Sequence, residues 1–183
     1  MIAAANAVWP ACVGALVVLY AYLGDGAWTR RSAIAWMMGS WGARLTVQAL
    51  YAGGPQEFLV VHISYFRVAA FAFFFSLPAL FASQNPQPWL GTTELAACGL
   101  WVIAFAGETT ADRQLLRFRK SADGSAGQAC RAGLWRFLPE AHAAFEALMW
   151  TAFALFATAS PWGWIASACP AVMIYLLWVR RRC

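Results

Sequence analysis

Apolar stretches recur along this chain at close intervals, and each is near the length needed to cross a bilayer. A spanning helix needs roughly 20 mostly apolar residues, because the hydrocarbon layer is about 30 Å thick. The stretches at 3–23, 32–52, 64–82, 90–106, 141–159 and 162–179 qualify or nearly qualify, the fourth being the shortest. Composition agrees with this reading. Of 183 residues, 62% are hydrophobic and 11% charged, against about 45–50% and about 25% in soluble domains. A chain this small has too much surface for its volume to hide the apolar excess inside itself. Open strands are excluded at membrane depth by their unpaired backbone groups, and the alternation of a transmembrane barrel is not seen. The expectation is an all-α fold, a polytopic transmembrane helix bundle of about six spans. Residues 1–183 form a single integral membrane domain, with a cytoplasmic helix-loop segment between spans four and five.

Charge placement orients the bundle. Nine of the 13 basic residues lie in two places: Arg113, Arg117, Arg119, Lys120, Arg131 and Arg136 in one segment, and Arg180, Arg181 and Arg182 at the C-terminus. The positive-inside rule puts both regions, and the N-terminus, in the cytoplasm. Arg30 and Arg31 then fall on the other side, against the rule. A net charge of +5 placed this way suits anionic lipid headgroups better than nucleic acid. The first basic residue is Arg30, so no charged region of a cleavable signal precedes the first apolar stretch. Among the tryptophans, Trp9, Trp28, Trp89, Trp162 and Trp164 fall near expected interfaces. Cys12, Cys98, Cys130, Cys169 and Cys183 form no C-x-x-C pair, so no zinc or redox motif is expected.

The polar segment 107–140 holds half of the acidic residues: Glu108, Asp112, Asp123 and Glu140. Residues 108–120 read as a helix continuing from the fourth span, 121–128 as a Gly/Ser-rich loop, and Pro139 as a first residue of the next helix. Glu108, Asp112, Leu115 and Arg119 share one face of the first of these, at spacings of three or four. Two carboxylates at i,i+4 repel, so a cation or donor must compensate. Arg113, Arg136 or water would do so structurally. A ligand would do so functionally, with Arg119 and Lys120 on its phosphates.

Three further groups stand out. Arg44 lies mid-span, where an arginine costs at least about 2.5–3.5 kcal/mol on insertion scales. It must face the bundle, with Gly39, Gly42 and Ala43 permitting close helix contact and Glu146 as its expected partner. Glu57, His62, Tyr65 and Arg67 gather at the start of the third span. There a tyrosine oriented by a carboxylate can donate a proton, or the cluster is an ordinary interfacial loop end. Alternation of the spans allows this cluster to lie far from 108–120. His142 and Glu146, at i and i+4, are too few ligands for a metal by themselves, and none is expected. No nucleophile triad, P-loop or G-x-G-x-x-G occurs.

Several stretches resemble the steroid 5-alpha-reductase superfamily in its bacterial branch. Trp41, Gly42, Ala43, Arg44 and Leu45 are similar to an early-helix tryptophan–arginine–leucine signature. Phe66 through Ser76, Leu77 and Pro78 are similar to a helix ending in Leu-Pro. Glu108, Asp112, Gln114 and Phe118 fall in the family's E-x-x-x-D-x-Q…F pattern. Gly133, Leu134, Trp135, Arg136 and Phe137 resemble its G-L-W-R-Y step. The resemblance implies NADPH held on the cytoplasmic side of a bacterial inner-membrane protein, and reduction of a carbon–carbon double bond conjugated to a ketone in a steroid or other lipid. The residues it implies as cofactor contacts are Glu108, Asp112, Gln114, Arg119, Lys120, Trp135, Arg136 and Glu146. Tyr65 and Glu57 are the candidate catalytic pair.

An alternative is an inactive relative serving as a lipid-binding or accessory subunit. It rests on what stands where the family has an R-H-P-N-Y-F-G-E run: here Pro139, Glu140, Ala141, His142, Ala143, Ala144, Phe145 and Glu146, of which only the last residue matches. The chain also stops at Cys183, about where the family's cytoplasmic tail begins. Losing charge-assisted phosphate contacts costs roughly 1.5–3 kcal/mol each. A third reading is an isoprenylcysteine-type methyltransferase, against which the E-x-x-x-D-x-Q pattern argues.

Overall fold

The computed structural model describes residues 2–51, 65–121, 130–138 and 140–180, the side chains of 2–9, 49–51, 65–67 and 176–180 excepted. Among these residues every regular element is helical, as expected. α1 spans Ile2–Leu23, α2 Trp28–Tyr51, α3 Tyr65–Ala82 and α4 Thr92–Arg119. A short α5, Leu134–Phe137, precedes α6, Ala141–Ala157. A 3-10 turn, Gly163–Ser167, leads into α7, Ala168–Arg180. Counting the described residues only, no helix is long and apolar enough to cross a membrane.

The expected helices hold, with one difference, at the last of them. α4 runs unbroken from the apolar stretch at 90–106 into the polar segment, so the expected 108–120 helix is its last three turns. Arg117 and Arg119 in its final turn suit the negative end of the helix dipole. The last expected span is interrupted. Ser160 N–H bonds the Ala157 carbonyl and Gly163 N–H the Ser160 carbonyl, and Trp162 sits at φ 61°. This tight return winds 163–167 as a 3-10 turn and shortens α7 to 13 residues. Pro139 lies outside the described residues.

Successive helices run in opposite directions, and one end of the bundle is tied by backbone bonds between its turns. Gly26 N–H donates to the Ser83 carbonyl and Ala27 N–H to the Asn85 carbonyl, while the Asn85 side chain donates to the Ala159 carbonyl at 2.7 Å. Arg30 and Arg31, the two cations that contravene the charge rule, are both consumed at this end. Arg30 is buried against Glu94 at 2.7 Å and donates to the Trp89 carbonyl. Arg31 donates to the carbonyls of Ala21 and Gly24, closing the carboxyl end of α1. A cation on helix-end carbonyls also meets the negative pole of the dipole.

Between the ends lies a core in which aromatics carry much of the volume. Trp41, Phe75, Trp150, Phe153 and Phe156 are all buried. Trp150 meets Phe75 at 4.5 Å, Trp41 at 5.1 Å and Phe153 at 5.4 Å between ring centroids. The contacts with Trp41 and Phe153 are edge-to-face, the arrangement ring quadrupoles favour. This core joins α2, α3 and α6, and it sits one turn below the polar groups of α2 and α6.

Candidate functional site

Three helices each carry two polar residues one turn apart on a common face: Arg44 and Gln48 on α2, Glu108 and Asp112 on α4, and His142 and Glu146 on α6. Residues at i and i+4 share a face, and in the bundle these faces meet. Arg44 bridges the two carboxylates of α4, with Nη2 at 2.5 Å from Glu108 Oε1 and Nη1 at 2.6 Å from Asp112 Oδ2. Gln48 donates to the same Asp112 oxygen at 2.7 Å. His142 Nδ1 lies 2.8 Å from Asp112 Oδ1 and 3.6 Å from Glu108 Oε1, while its Nε2 is 3.6 Å from Glu146 Oε2. A carboxylate can only accept, so Nδ1 carries the proton shared with Asp112. Phe105 covers Arg44 from one side, with the guanidinium carbon 5.5 Å from the ring centroid.

The cluster is graded in exposure. The Glu108 and Glu146 side chains are 0% and 1% exposed, Arg44 and Asp112 10% and 13%, and His142 28%. Burial pushes the Glu108 carboxyl above its ordinary range, and Arg44 and His142 offset this only in part. Burial works against Asp112 too, but hydrogen bonds from His142 and Gln48 and the charges of His142 and Arg44 outweigh it, and its carboxyl is held below the usual range. A fully enclosed group and a hydrogen-bonded one thus separate in acidity although they stand one turn apart.

Close approach of α4 and α6 makes the cluster possible. A Cβ at Gly107 would sit 2.3 Å from the Phe145 ring, so glycine beside Glu108 lets the helix carrying His142 and Glu146 lie against α4. Gly107→Val is expected to push the two helices apart and cost about 1–3 kcal/mol, as overpacking does. A thermal unfolding midpoint unchanged from wild type would refute that packing role.

The compensation of Glu108 and Asp112 differs from two of the three structural expectations, the two arginines. Neither Arg113 nor Arg136 supplies it. Arg44 does, joined by His142. The expected Arg44–Glu146 pair is likewise replaced, because Arg44 reaches α4 and the nearest cationic group to Glu146 is the His142 ring. The pair His142 and Glu146, too small a ligand set alone, gains a third member in Glu108: one ligating atom from each of the three lies within 4.8 Å of the others.

The remaining expected site residues divide into two groups. Gln114 and Trp135 tie α5 to α4. The Gln114 side-chain oxygen accepts from Leu134 N–H at 2.9 Å, and the Trp135 indole donates to the Ala111 carbonyl at 3.0 Å. Gly133 makes this turn at φ 58°, in the left-handed region, with the Gln114 amide where a Cβ would stand. Arg119, Lys120 and Arg136 are exposed, the last with its guanidinium 6.0 Å from the Phe137 ring centroid. Glu57 and His62 lie outside the described residues. Tyr65 opens α3, its side chain outside the description. That opening is at the cluster's end of the bundle, because the far end of α3, near Ser83, belongs to the tied turns. The tyrosine is therefore not set apart from 108–120 by the alternation of the helices.

A family described as "Protein of unknown function (DUF1295)" matches residues 51–181. The chain belongs to this family, whose match contains the α4 and α6 halves of the cluster but not Arg44 or Gln48. No curated protein and no solved structure matches the chain.

Proposed function

We propose that this chain is a membrane-embedded, NADPH-dependent reductase of a carbon–carbon double bond conjugated to a ketone, in a steroid or other lipid. One observation carries the reading. Glu108, Asp112 and Glu146, the acidic residues of the resemblance to the steroid 5-alpha-reductase superfamily, converge from two helices on one ionic cluster. Arg119, Lys120 and Arg136 stand exposed at the same end. Asp112 and Arg119 are seven residues apart on one helix face, about 10 Å by helical rise, a span over which a nucleotide can hold its sugar at one point and its phosphates at the other. The partly open edge of the cluster, Asp112 and His142, would take hydroxyl or amide groups of the cofactor. Hydride would pass to the β carbon, and a polar donor would stabilise the enolate oxygen as charge develops there. Tyr65 and Glu57 are the candidates for that role.

Membrane insertion belongs to the same proposal. It is supported by exposed Val18, Leu19, Tyr22 and Leu23 on α1, Phe73 on α3 and Val102 and Ile103 on α4, and by exposed Trp28, Trp89, Trp162 and Trp164 at the tied end. Large apolar patches mark interaction or membrane surfaces, and tryptophan favours the lipid–water boundary.

The test is titration of the detergent-purified chain with NADPH, followed by nucleotide fluorescence. Saturation below about 100 µM is expected, in the ordinary range between micromolar and millimolar binding. Arg119→Ala combined with Lys120→Ala removes two exposed cations and should weaken binding at least tenfold, since a charged hydrogen bond contributes about 1.5–3 kcal/mol. Wild type that shows no saturable binding sinks the reductase reading. It would favour the inactive relative, for which the enclosure of Glu108 and Glu146 is the supporting observation.

A further inference from the structure

We propose that Glu108, His142 and Glu146 form a binding site for one divalent transition-metal ion on the buried side of the cluster. Glu146 motivates this. Its side chain is 1% exposed, and neither of its oxygens has a hydrogen-bond partner. A buried carboxylate without a partner is costly, and natural structures rarely leave one so. Glu108 is as enclosed, and both of its oxygens lack a well-aligned hydrogen bond despite the approach of Arg44.

The spacing fits an ion. One oxygen from each carboxylate and one ring nitrogen all lie within 4.8 Å of each other. His142 Nε2 and Glu146 Oε2 are 3.6 Å apart, too far for a hydrogen bond. Ligands at about 2.1 Å from a shared tetrahedral ion stand about 3.4 Å apart. The imidazole is also set up to ligate. Its Nδ1–H is held by Asp112 at 2.8 Å, so Nε2 is the nitrogen that faces Glu146, and an ion bound there would take the place of any proton on it. In most histidine metal sites the other ring N–H is held by a carboxylate, a backbone carbonyl or water, which fixes tautomer and orientation. The enclosed Glu146 oxygens without a hydrogen-bond partner are an observation beyond the gathering of acids.

Charge balance points the same way. Glu108, Asp112 and Glu146 bring three negative charges to Arg44's single positive one. A divalent cation with neutral His142 closes the sum at zero. Two carboxylate oxygens and one imidazole suit Zn2+, Mn2+ or Fe2+, with a fourth position open to water or substrate oxygen. The proposal shares the cluster with the reductase reading but not its exposed cations: Glu108, Glu146 and His142 Nε2 serve the ion, Asp112 holds His142 from the outer side, and Arg119 and Lys120 belong to the nucleotide alone.

The experiment uses the full chain in detergent, stripped with a chelator and desalted, then titrated separately with Mn2+ and Zn2+. Mn2+ is the decisive probe, because thiolates of the scattered cysteines prefer Zn2+. Bound metal is counted after desalting, and thermal midpoints are followed in parallel. One Mn2+ per chain is expected, with a raised midpoint. Glu146→Gln, which preserves shape and removes a buried charge, should weaken binding at least tenfold. His142→Ala, at a partly open position, should do the same. Asp112→Asn should weaken it about 10–100-fold. Arg119→Ala with Lys120→Ala should bind Mn2+ as wild type does, so loss of NADPH binding and loss of metal binding are separately readable. Wild type with no stoichiometric Mn2+, or binding undiminished in both Glu146→Gln and His142→Ala, overturns the site.

Discussion

Arg44→Leu is expected to destabilise the chain by about 3–5 kcal/mol, the cost of removing one partner from a buried ion pair. The arginine is the fixed positive charge against Glu108 and Asp112, and leucine would leave Glu108, which is wholly enclosed, with an uncompensated charge. Asp112 would suffer less, since Gln48 and His142 still donate to it. The double variant Arg44→Leu with Glu108→Gln should therefore recover much of the loss, because deleting both members of a buried pair is far cheaper than deleting one. Thermal unfolding in detergent, wild type against the single and double variants, reads both effects. A single variant within about 0.5 kcal/mol of wild type, the range of ordinary surface changes, would refute Arg44 as the counter-charge. A double variant no better than the single would show that its role is packing under Phe105.

Why Arg44 pairs with α4 rather than with Glu146 bears on what the sequence could reveal. Helix positions were readable, because 3.6-residue periodicity and runs of about 20 apolar residues mark helices without reference to partners. The boundaries of α1, α3 and the start of α6 follow from that alone. The shortened last helix was not readable. Its cause is a left-handed Trp162, a conformation that favours glycine and asparagine and that no local signal assigns to tryptophan. The site was half legible. Two of its i,i+4 pairs, Glu108 with Asp112 and His142 with Glu146, are visible in sequence, whereas Gln48, one turn from Arg44, is a neutral side chain that no local signal singles out. Which pairs meet depends on how far α4 and α6 approach, and that is set by Gly107 against Phe145. Sequence spacing holds no record of this contact, so Glu146 was the reasonable partner for Arg44 and the wrong one.

Gln114 and Trp135, which the resemblance implies as cofactor contacts, bond protein instead. Their hydrogen bonds fold Leu134–Phe137 back onto α4. A motif residue can serve a ligand by holding the turn that faces it. Arg119, Lys120 and Arg136, by contrast, are exposed. Arg119 and Lys120 lie beyond the last enclosed turn of α4, where the chain passes from buried Ala111 to exposed residues. Inner acids and outer cations on one helix give a site that is rigid at one end and adaptable at the other.

Rigidity at the inner end rests on the aromatic core, and Trp150→Ala tests it with an effect as large as that at Arg44. Trp150 is fully buried, one turn from Glu146 on α6, and meets Trp41, Phe75 and Phe153. Truncation to alanine is expected to cost about 3–5 kcal/mol through lost contacts and the cavity left behind. That cavity would open beneath the unpartnered Glu146 oxygens, and water entering it would solvate the carboxylate and loosen its position. Trp150→Phe is the discriminating companion. It keeps a ring against Trp41 and Phe153, and the indole N–H it deletes has no hydrogen-bond partner. Its cost should stay below about 1.5 kcal/mol. Unfolding midpoints separate the two variants, and Mn2+ titration should show weakened binding in the alanine variant alone. Equal midpoints for Trp150→Ala and Trp150→Phe would mean that the rings fill space without bracing α6, and the cluster would then have to owe its geometry to the Gly107 contact and its own ion pairs.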